Sequence, residues 1–489
     1  MSSAPRLTAI GIMTGNSMDA VDLVLTRFAA DGSMQDLLTH SEAFPQALAQ
    51  QIRELRSALD DSNGSIGLAE TAFNKSVGGT HALSQLHDNY LECVSEGVEA
   101  LLRKAQSLNI VNSKGEIDIV GFHGQTCGHC PPSIARKKST TPYTIQLGDG
   151  QKLADRIGIT VAYDFRSDDI MAGGEGAPLA PVHHQHLTED TKKRGYFPIA
   201  FVNGGNTANL SVISCESNSG ASRVMGWDAG PFNHFPDMLA RQEGNATHDK
   251  NGAIGAQGKV NTALLRLLFD GAAITSDGRN FFTLPPPKSS DPQWYRFPPE
   301  LAGQAPVGGE PLGLPDRMRT AEYLAAYAVM FSLTLLPDQL VLPKHFGLCG
   351  GGWENPVIAE HFRGLLHGRF DLNPVLPEHQ AAFRRVSDVL KGSVQCRPSL
   401  DYGFDGGAME ARIFADAAVC LVKGIPFTLP STTGVQAPCV CGVLRYPDGD
   451  MHRASAALQQ VIAASRRDPS QSSHRFIDTR FNRAIPGWR

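Results

Sequence analysis

One short turn, GIMTGNSMDAVDLVL (Gly11 to Leu25), gathers a glycine, a threonine, an asparagine, a serine and two aspartates between two apolar runs. Gly15 allows the backbone to turn sharply and to approach a ligand closely. Thr14, Asn16 and Ser17 offer short hydrogen-bonding groups, and exposed N–H groups in such a turn cradle an anion. Asp19 and Asp22 add carboxylates suited to a hard cation such as Mg²⁺. The same composition also makes an ordinary polar hairpin turn, so the turn alone does not decide its chemistry.

Three more glycine-rich turns follow strand-like runs, at Gly204–Gly205, Gly230 and Gly350–Gly352. Four such turns suit a nucleotide triphosphate held between two domains, because close backbone approach supplies N–H donors without bulk. There is no Walker loop, and no GxGxxG opens a helix after the first strand. The pair in CGHC (Cys127 to Cys130) has redox spacing, but Pro131 and Pro132 follow at once and argue against the long helix that activates such a thiol, so loop thiols are expected. A zinc site from Cys127, Cys130, His123 and His129 lacks a distant second ligand pair. HHQH (His183 to His186) is read as loop or surface histidines rather than a metal cluster.

The elements that must position these groups read as a repeated series. LTAIGIM, VDLVLTRFAA and MQDLLTHSEAF are three strands, with Asp31–Gly32 as a hairpin signal. Gln46 to Lys104 carries helical periodicity. Strands follow at IDIVGFHGQT, TPYTIQL and ITVAYDFR, with a helix at QKLADRIG between the last two. A second strand–turn–strand, YFPIAFVNGGNTANLSVI, echoes the first, and RVMGWDAGPFNHFPDMLA adds strand, turn and helix. A Pro/Gly-rich stretch (Thr283 to Pro315) precedes a buried helix from about Arg317 to Leu335. HFGLCGGGWENP, the helix GGAMEARIFADAAVCLV and the strand APCVCGVLRY complete the series, and SRRDPSQSSHRF reads as a flexible connection. The expectation is a duplicated α/β protein with a cleft between its halves.

At 489 residues two domains are the natural prior. A net charge of -5 argues against a nucleic-acid partner. The N-terminus lacks the features of a secretory signal, and LAAYAVMFSLTLL is too short to span a bilayer. A cytoplasmic protein with no membrane partner is expected. Nine scattered cysteines do not suggest a disulfide framework.

In order along nearly the whole chain, the motifs resemble those of the 1,6-anhydro-N-acetylmuramic acid kinases, a branch of the sugar kinase/actin/heat-shock ATPase superfamily. TGNSMDAVD resembles the phosphate loop GTSxDGxD, and HGQT is shared. TIQLGDGQKLADRIGITVAYDFRSDDIMAGGEGAPLAP is similar to the block QIGD, TGI, DFR, GGxGAPL. NGGNTANL, GWDAGPFN, HDKNGAIGAQGKV, LCGGGWEN and MEARIFADAA stand where the family has NLGGIAN, GFDTGPGN, YDxxGxxAxxG, CGGGxxN and EAxxFA. Asn16, Ala20 and Phe232 depart from the pattern, Phe232 standing where a glycine is usual, and SSDPQWYRF after Lys288 has lost most of PKSTGRE.

The resemblance implies two actin-like, ribonuclease H-like domains, 1–163 plus 436–489 and 164–435, with an interdomain cleft for ATP and sugar. It implies an ATP- and Mg²⁺-dependent kinase, a homodimer, that opens the anhydro ring of 1,6-anhydro-N-acetylmuramic acid and phosphorylates O6. Another anhydro sugar such as levoglucosan, or a non-catalytic nucleotide sensor, are the alternatives. Thr14, Gly15, Asn16, Ser17, Met18, Asp19, Asp22, Gly204, Gly205, Gly230, Gly350, Gly351, Gly352 and Asn355 would hold the nucleotide, with Asp19 placing Mg²⁺ through water. Asp228 would be the base that takes the proton of the attacking water, or a Mg²⁺ ligand instead. Glu410 would orient the water or Asp228, unless it only faces solvent. His123, Gln125, Asp149, Arg166 and Asn233 would meet the sugar, Arg166 through its lactyl carboxylate, unless Arg166 merely pairs with Asp164 or Asp168.

Overall fold

The computed structural model describes residues 5–15, 18–290 and 294–465. Asn16, Ser17 and, beyond Ser465, the expected flexible connection lie outside them. The chain forms two compact units, the described residues of Met1–Leu187 with Ala408–Arg489, and Thr188–Gly407.

The first unit opens with β1 (Leu7–Thr14), β2 (Ala20–Phe28) and β3 (Met34–Ala43), an antiparallel meander. Burial tells where each lies. β1 is buried on both faces, whereas β3 alternates between half-buried and exposed residues, as an edge strand must. Three helices follow, α1 (Gln46–Asp61), α2 (Ile66–Val77) and α3 (Ala82–Ser107). Then come β4 (Ile119–Phe122), β5 (Gln125–Cys130), α4 (Pro132–Lys138), β6 (Tyr143–Leu147), α5 (Gly150–Ile157), β7 (Val161–Tyr163), α6 (Ser167–Met171) and α7 (Ala180–Lys193). β4 runs parallel to β1, and β7 parallel to β4.

The second unit repeats the plan. β8 (Ile199–Gly204), β9 (Thr207–Cys215) and β10 (Ser222–Pro231) form the meander. α8 (His234–Gln242), α9 (Thr262–Gly271) and α10 (Leu314–Leu333) lead to β11 (His345–Cys349), α11 (Pro356–Leu366), α12 (Gln380–Leu390) and β12 (Gln395–Pro398). β11 pairs parallel with β8 and with β12. The sheets read β3-β2-β1-β4-β7 and β10-β9-β8-β11-β12, the same order with the same strand directions. α13 (Met409–Lys423), β13 (Val443–Arg445) and α14 (Ala456–Ala464) return to the first unit, where β13 adds an antiparallel edge to β7.

α13 sits unusually close to its sheet. Gly11 and Gly121 are register partners on β1 and β4. A Cβ on Gly11 would strike the carbonyl of Ala411, and one on Gly121 that of Phe414. The helix therefore rests on the strands by its main chain, which fixes its height and register. Helix-favouring alanines build it, and Gly424, at φ +68°, ends it in the left-handed conformation.

Three expectations need correction. The boundaries at 163/164 and 435/436 fall inside the first unit, because residues around them are tied together: Asp169 accepts from Thr433 Oγ1 at 2.6 Å, and Asp168 from the N–H of Gly442 at 2.9 Å. CGHC is not a loop but the end of β5, paired with β6 around a bulge. HHQH lies within α7, with His183 and His184 buried. Among the described residues no helix is long and apolar enough to cross a membrane.

Candidate active site

In each unit the predicted residues collect at one sheet edge, the carboxyl ends of the parallel strands. That is where open α/β sheets carry their ligands.

In the first unit, Thr14 ends β1, buried, with its hydroxyl on Tyr90 (2.9 Å) and donating to the carbonyl of Gly124 (3.3 Å). Met18 turns the chain at φ +56°, and its N–H donates to Gly15 O at 3.2 Å. Asp19 is exposed, and Asp22 accepts from Ser41 Oγ at 2.8 Å. Gln125 donates to the carbonyl of Gly15 at 3.3 Å, tying HGQT to the first turn. His123 follows β4 and accepts from Arg166 Nε at 3.0 Å, while Arg166 Nη1 donates to Gly176 O at 2.7 Å. Burial lowers the Arg166 guanidinium to about 10, against the pull of Asp169 and Glu410. Burial, then Arg166, holds the His123 imidazole well below its usual value, so it stays neutral. Asp164 accepts from Ser167 Oγ at 2.5 Å.

Asp149 caps α5, with Oδ1 accepting from the N–H groups of Gln151 (2.8 Å) and Lys152 (3.1 Å). Its Oδ2 is buried without a hydrogen-bond partner, beside a cavity of about 20 Å³ that His123 and Gln146 also line. A space of that size holds a single small polar group or a water. Glu410 stands in the first turn of α13. Solvent reaches it, yet crowding by protein, then the charge of Asp22, pushes its carboxyl up, with Arg166 opposing.

In the second unit, Asp228 lies at a bulge near the end of β10. Its Oδ1 accepts from Asn209, its register partner on β9. Its Oδ2 accepts from the N–H (2.7 Å) and hydroxyl (3.0 Å) of Ser290 and, at 3.4 Å, from Ser289. Burial raises this carboxyl and the four donors pull it back. Ser290 is itself held by Tyr295, whose hydroxyl donates to it at 2.8 Å and meets Thr207 at 3.0 Å. Lys288 accepts the Asp228 N–H on its carbonyl (2.9 Å) and directs its ammonium at the carbonyls of Phe281 and Phe282, where burial lowers it to about 7.

The glycine turns are needed mainly for packing. A Cβ on Gly204 would lie 2.6 Å from Phe232, one on Gly352 2.6 Å from Phe232, and one on Gly230 2.6 Å from Phe282. Gly350, at φ +87°, abuts Asn203 and Gly204. Only at Gly351 would a Cβ meet nothing, and at Gly205 its nearest neighbour is 3.7 Å away. Phe232 fills the space between the turns, its ring tilted at 58° to that of Trp353 with the centroids 4.7 Å apart. Asn233 precedes α8, its N–H on the carbonyl of Gly205 at 3.1 Å. Asn355 caps α11 and donates to Glu322 at 2.6 Å. Burial lifts Glu322 to about 8, so it is protonated at neutral pH.

Sequence reading missed Asn209, Ser290, Tyr295 and Glu322. Asn209 had a signal, its place opposite Asp228 once the second meander is registered. The other three did not, since their partners lie 5 to 62 residues or a helix away.

Two sheets of one strand order, each with acids and tight turns at its carboxyl edge, define an α/β protein of the actin-like ATPase type. The family model described as anhydro-N-acetylmuramic acid kinase matches residues 7–376 and 378–447. Proteins of that name from Agrobacterium fabrum (31% identity, 89% of this chain, 98% of theirs), Rhizobium etli (30%, 90%, 99%) and Vibrio cholerae serotype O1 (30%, 91%, 100%) are similar throughout. The chain belongs to the anhydro-N-acetylmuramic acid kinase family. A solved ROK family glucokinase from Streptomyces griseus aligns over 84% of this chain and 99% of its own at 12% identity, with a TM-score of 0.34, a likeness that carries no weight here.

Proposed function

We propose that this protein is an ATP-dependent kinase that hydrolytically opens 1,6-anhydro-N-acetylmuramic acid and phosphorylates O6, giving N-acetylmuramic acid 6-phosphate for the recycling of cell-wall sugar. Family membership over nearly the full length supports the reaction class. The observation that carries the mechanism is the setting of Asp228: a buried carboxylate aimed by donors on both oxygens, at a sheet edge, with a raised affinity for protons. A base must be positioned before its pKa matters, and a raised pKa then strengthens it.

In this reading Asp228 takes the proton of the water that attacks the anomeric carbon. Glu410 orients that water. Opening the bridge frees O6, which accepts the γ-phosphoryl of ATP. Phosphoryl transfer relies on positioning and charge neutralisation, which the turn from Thr14 to Asp19 and the glycine turns of the second unit provide. The exposed Asp19 carboxylate beside this turn fits a largely hydrated Mg²⁺, which when bound neutralises phosphate charge. His123 and Gly176 fix the plane of Arg166, whose remaining N–H groups we assign to the lactyl carboxylate. Gln125, Asp149 and Asn233 are assigned to the sugar, Asn355 and Gly350–Gly352 to adenosine. We further assign the enzyme to the cytoplasm as a homodimer, which light scattering on the purified protein tests.

Asp228→Asn keeps the shape and removes the base. Sugar-dependent ADP release is expected to fall ~10²–10⁴-fold, with ATP affinity nearly unchanged. Near-normal turnover would assign the base elsewhere. For the substrate, Arg166→Ala is compared on two sugars. The loss in kcat/KM should be larger with 1,6-anhydro-N-acetylmuramic acid than with levoglucosan, which has no carboxylate. Equal losses would make Arg166 structural, and a wild type that prefers levoglucosan would overturn the muramic assignment while leaving the kinase.

A further inference from the structure

α7 and α13 carry a second cluster of ligating side chains that the proposed reaction does not use. His183 and His186 are three apart on α7, and Asp416 and Cys420 four apart on α13, spacings that put each pair on one helix face. The pairs face each other. His183 Nδ1 and His186 Nδ1 lie 2.8 and 2.7 Å from Asp416 Oδ2, and Cys420 Sγ lies 3.6 Å from Asp416 Oδ1. A ring nitrogen of His186, a carboxylate oxygen of Asp416 and Sγ of Cys420 all lie within 4.8 Å of one another.

We propose that His186, Asp416 and Cys420 form a zinc-class metal site clamping α7 to α13, with His183 as the outer hydrogen-bond partner of the carboxylate. The geometry favours it. Atoms ~2.3 and ~2.1 Å from one tetrahedral centre, as sulfur and oxygen are on zinc, lie about 3.6 Å apart. That is the separation of Cys420 Sγ and Asp416 Oδ1. A metal bound there leaves Oδ2 to the N–H of fully buried His183, the arrangement in which a ligating carboxylate is held by a second shell. His186 must turn from Oδ2 toward the metal. It can do so, because its side chain is 28% exposed whereas Asp416 is 4% exposed, and the same opening gives the ion a way in. One thiolate, one imidazole and one carboxylate suit zinc better than magnesium or calcium, which take oxygen ligands. On binding, the Cys420 thiol releases its proton to solvent, and the His186 proton passes from Nδ1 to Nε2, so that a neutral imidazole offers Nδ1 to the metal. The site lies two turns along α13 from Glu410 and touches none of the residues assigned to catalysis.

The test is titration of the full chain with Co²⁺ and then Zn²⁺, read by absorption. One equivalent of cobalt should give the d–d bands of a four-coordinate ion with a thiolate-to-cobalt charge-transfer band, both abolished by zinc. Cys420→Ser should remove the charge-transfer band, and His183→Gln should weaken affinity ~10–100-fold. In case Cys420→Ser does not fold, His186→Ala, at the most accessible ligand, supplies a second measure. Zinc should raise the Tm of the wild type but not of this variant. Cobalt bound without a thiolate band, a band that survives Cys420→Ser, or a zinc-induced Tm rise that survives His186→Ala would each overturn the site.

Discussion

The two units share a strand order but cover the same sheet face differently. In the first, the register pair at the centre of the sheet is Gly11 and Gly121, and a helix backbone lies directly on it. In the second, the corresponding pair is Phe201 and Gly347, and the face is filled by side chains, with Phe201 meeting Phe404 edge-on at 5.7 Å. One contact is made by main chain, which cannot repack. The other is made by rings that can. The acids follow the same division. Glu410 is positioned by a helix that the strands hold rigidly, whereas Asp228 is positioned by side-chain and loop donors from Asn209 and Ser290.

The sharpest way to break this comparison is one methyl group placed in each sheet. Gly121→Ala drives a Cβ into a backbone carbonyl and should cost ~3 kcal/mol in denaturant unfolding. For Gly347→Ala the nearest atoms are those of the rings of Phe201 and Tyr402, 3.3 and 3.5 Å away, and the variant should stay within ~1 kcal/mol of the wild type. Equal costs would remove the distinction.

Ser290→Ala tests the side-chain half. Of the two donors Ser290 gives Asp228 the hydroxyl is lost, and hydrogen bonds to a charged group are worth ~1.5–3 kcal/mol, so kcat/KM should fall ~10-fold or more. Donors favour the ionised form, so their loss raises the Asp228 pKa further. The acid limb of the pH–rate profile should then move to higher pH. A limb that stays in place would show that Ser290 does not tune the base.

Glu322 gives a pH-dependent contrast confined to the second unit. Its carboxyl is raised from 4.5 to about 8 by burial. Between those values the folded chain binds a proton that the unfolded chain has lost, so this group's contribution to stability is full below 4.5 and falls as pH rises toward 8. Glu322→Gln should flatten that part of the Tm-against-pH curve, while leaving a drop in the wild type. The smallest effect belongs to the first unit. Cys127, raised to about 11 by burial, is not a ready thiolate. Cys127→Ala/Cys130→Ala should change kinase activity less than ~2-fold, with no insulin-reductase activity in the wild type; clear reductase activity would restore the redox reading.

Much of the fold was legible because meanders announce themselves. The apolar runs around Gly15 and around Gly204–Gly205 read as strands, and Asp31–Gly32 signalled the hairpin of β2 with β3. β5 was not legible. Its thiols, glycine and following prolines look like a loop, and only pairing with β6 makes it a strand. α7 was hidden because Pro178 and Pro181 bracket its start and its histidines lack a clear period. The domain boundaries failed for a related reason: the bonds from Asp168 and Asp169 to residues past 430 span more than 260 positions. At the candidate site, the motifs name the residues that we propose for the chemistry. Those that aim them, Asn209 and Ser290, needed the register of β9 with β10 and the course of a loop.

The glycine pair beneath α13 has a consequence for how this protein can drift over generations. A carbonyl oxygen is the same on every amino acid, so the helix side of the contact does not constrain which residues stand at 411 and 414 through that contact. The strand side admits one residue type at 11 and 121. The information that holds Glu410 in place is therefore written in two strand glycines far from it in sequence, and a survey of relatives should find those two positions frozen where the helix above them is free to vary.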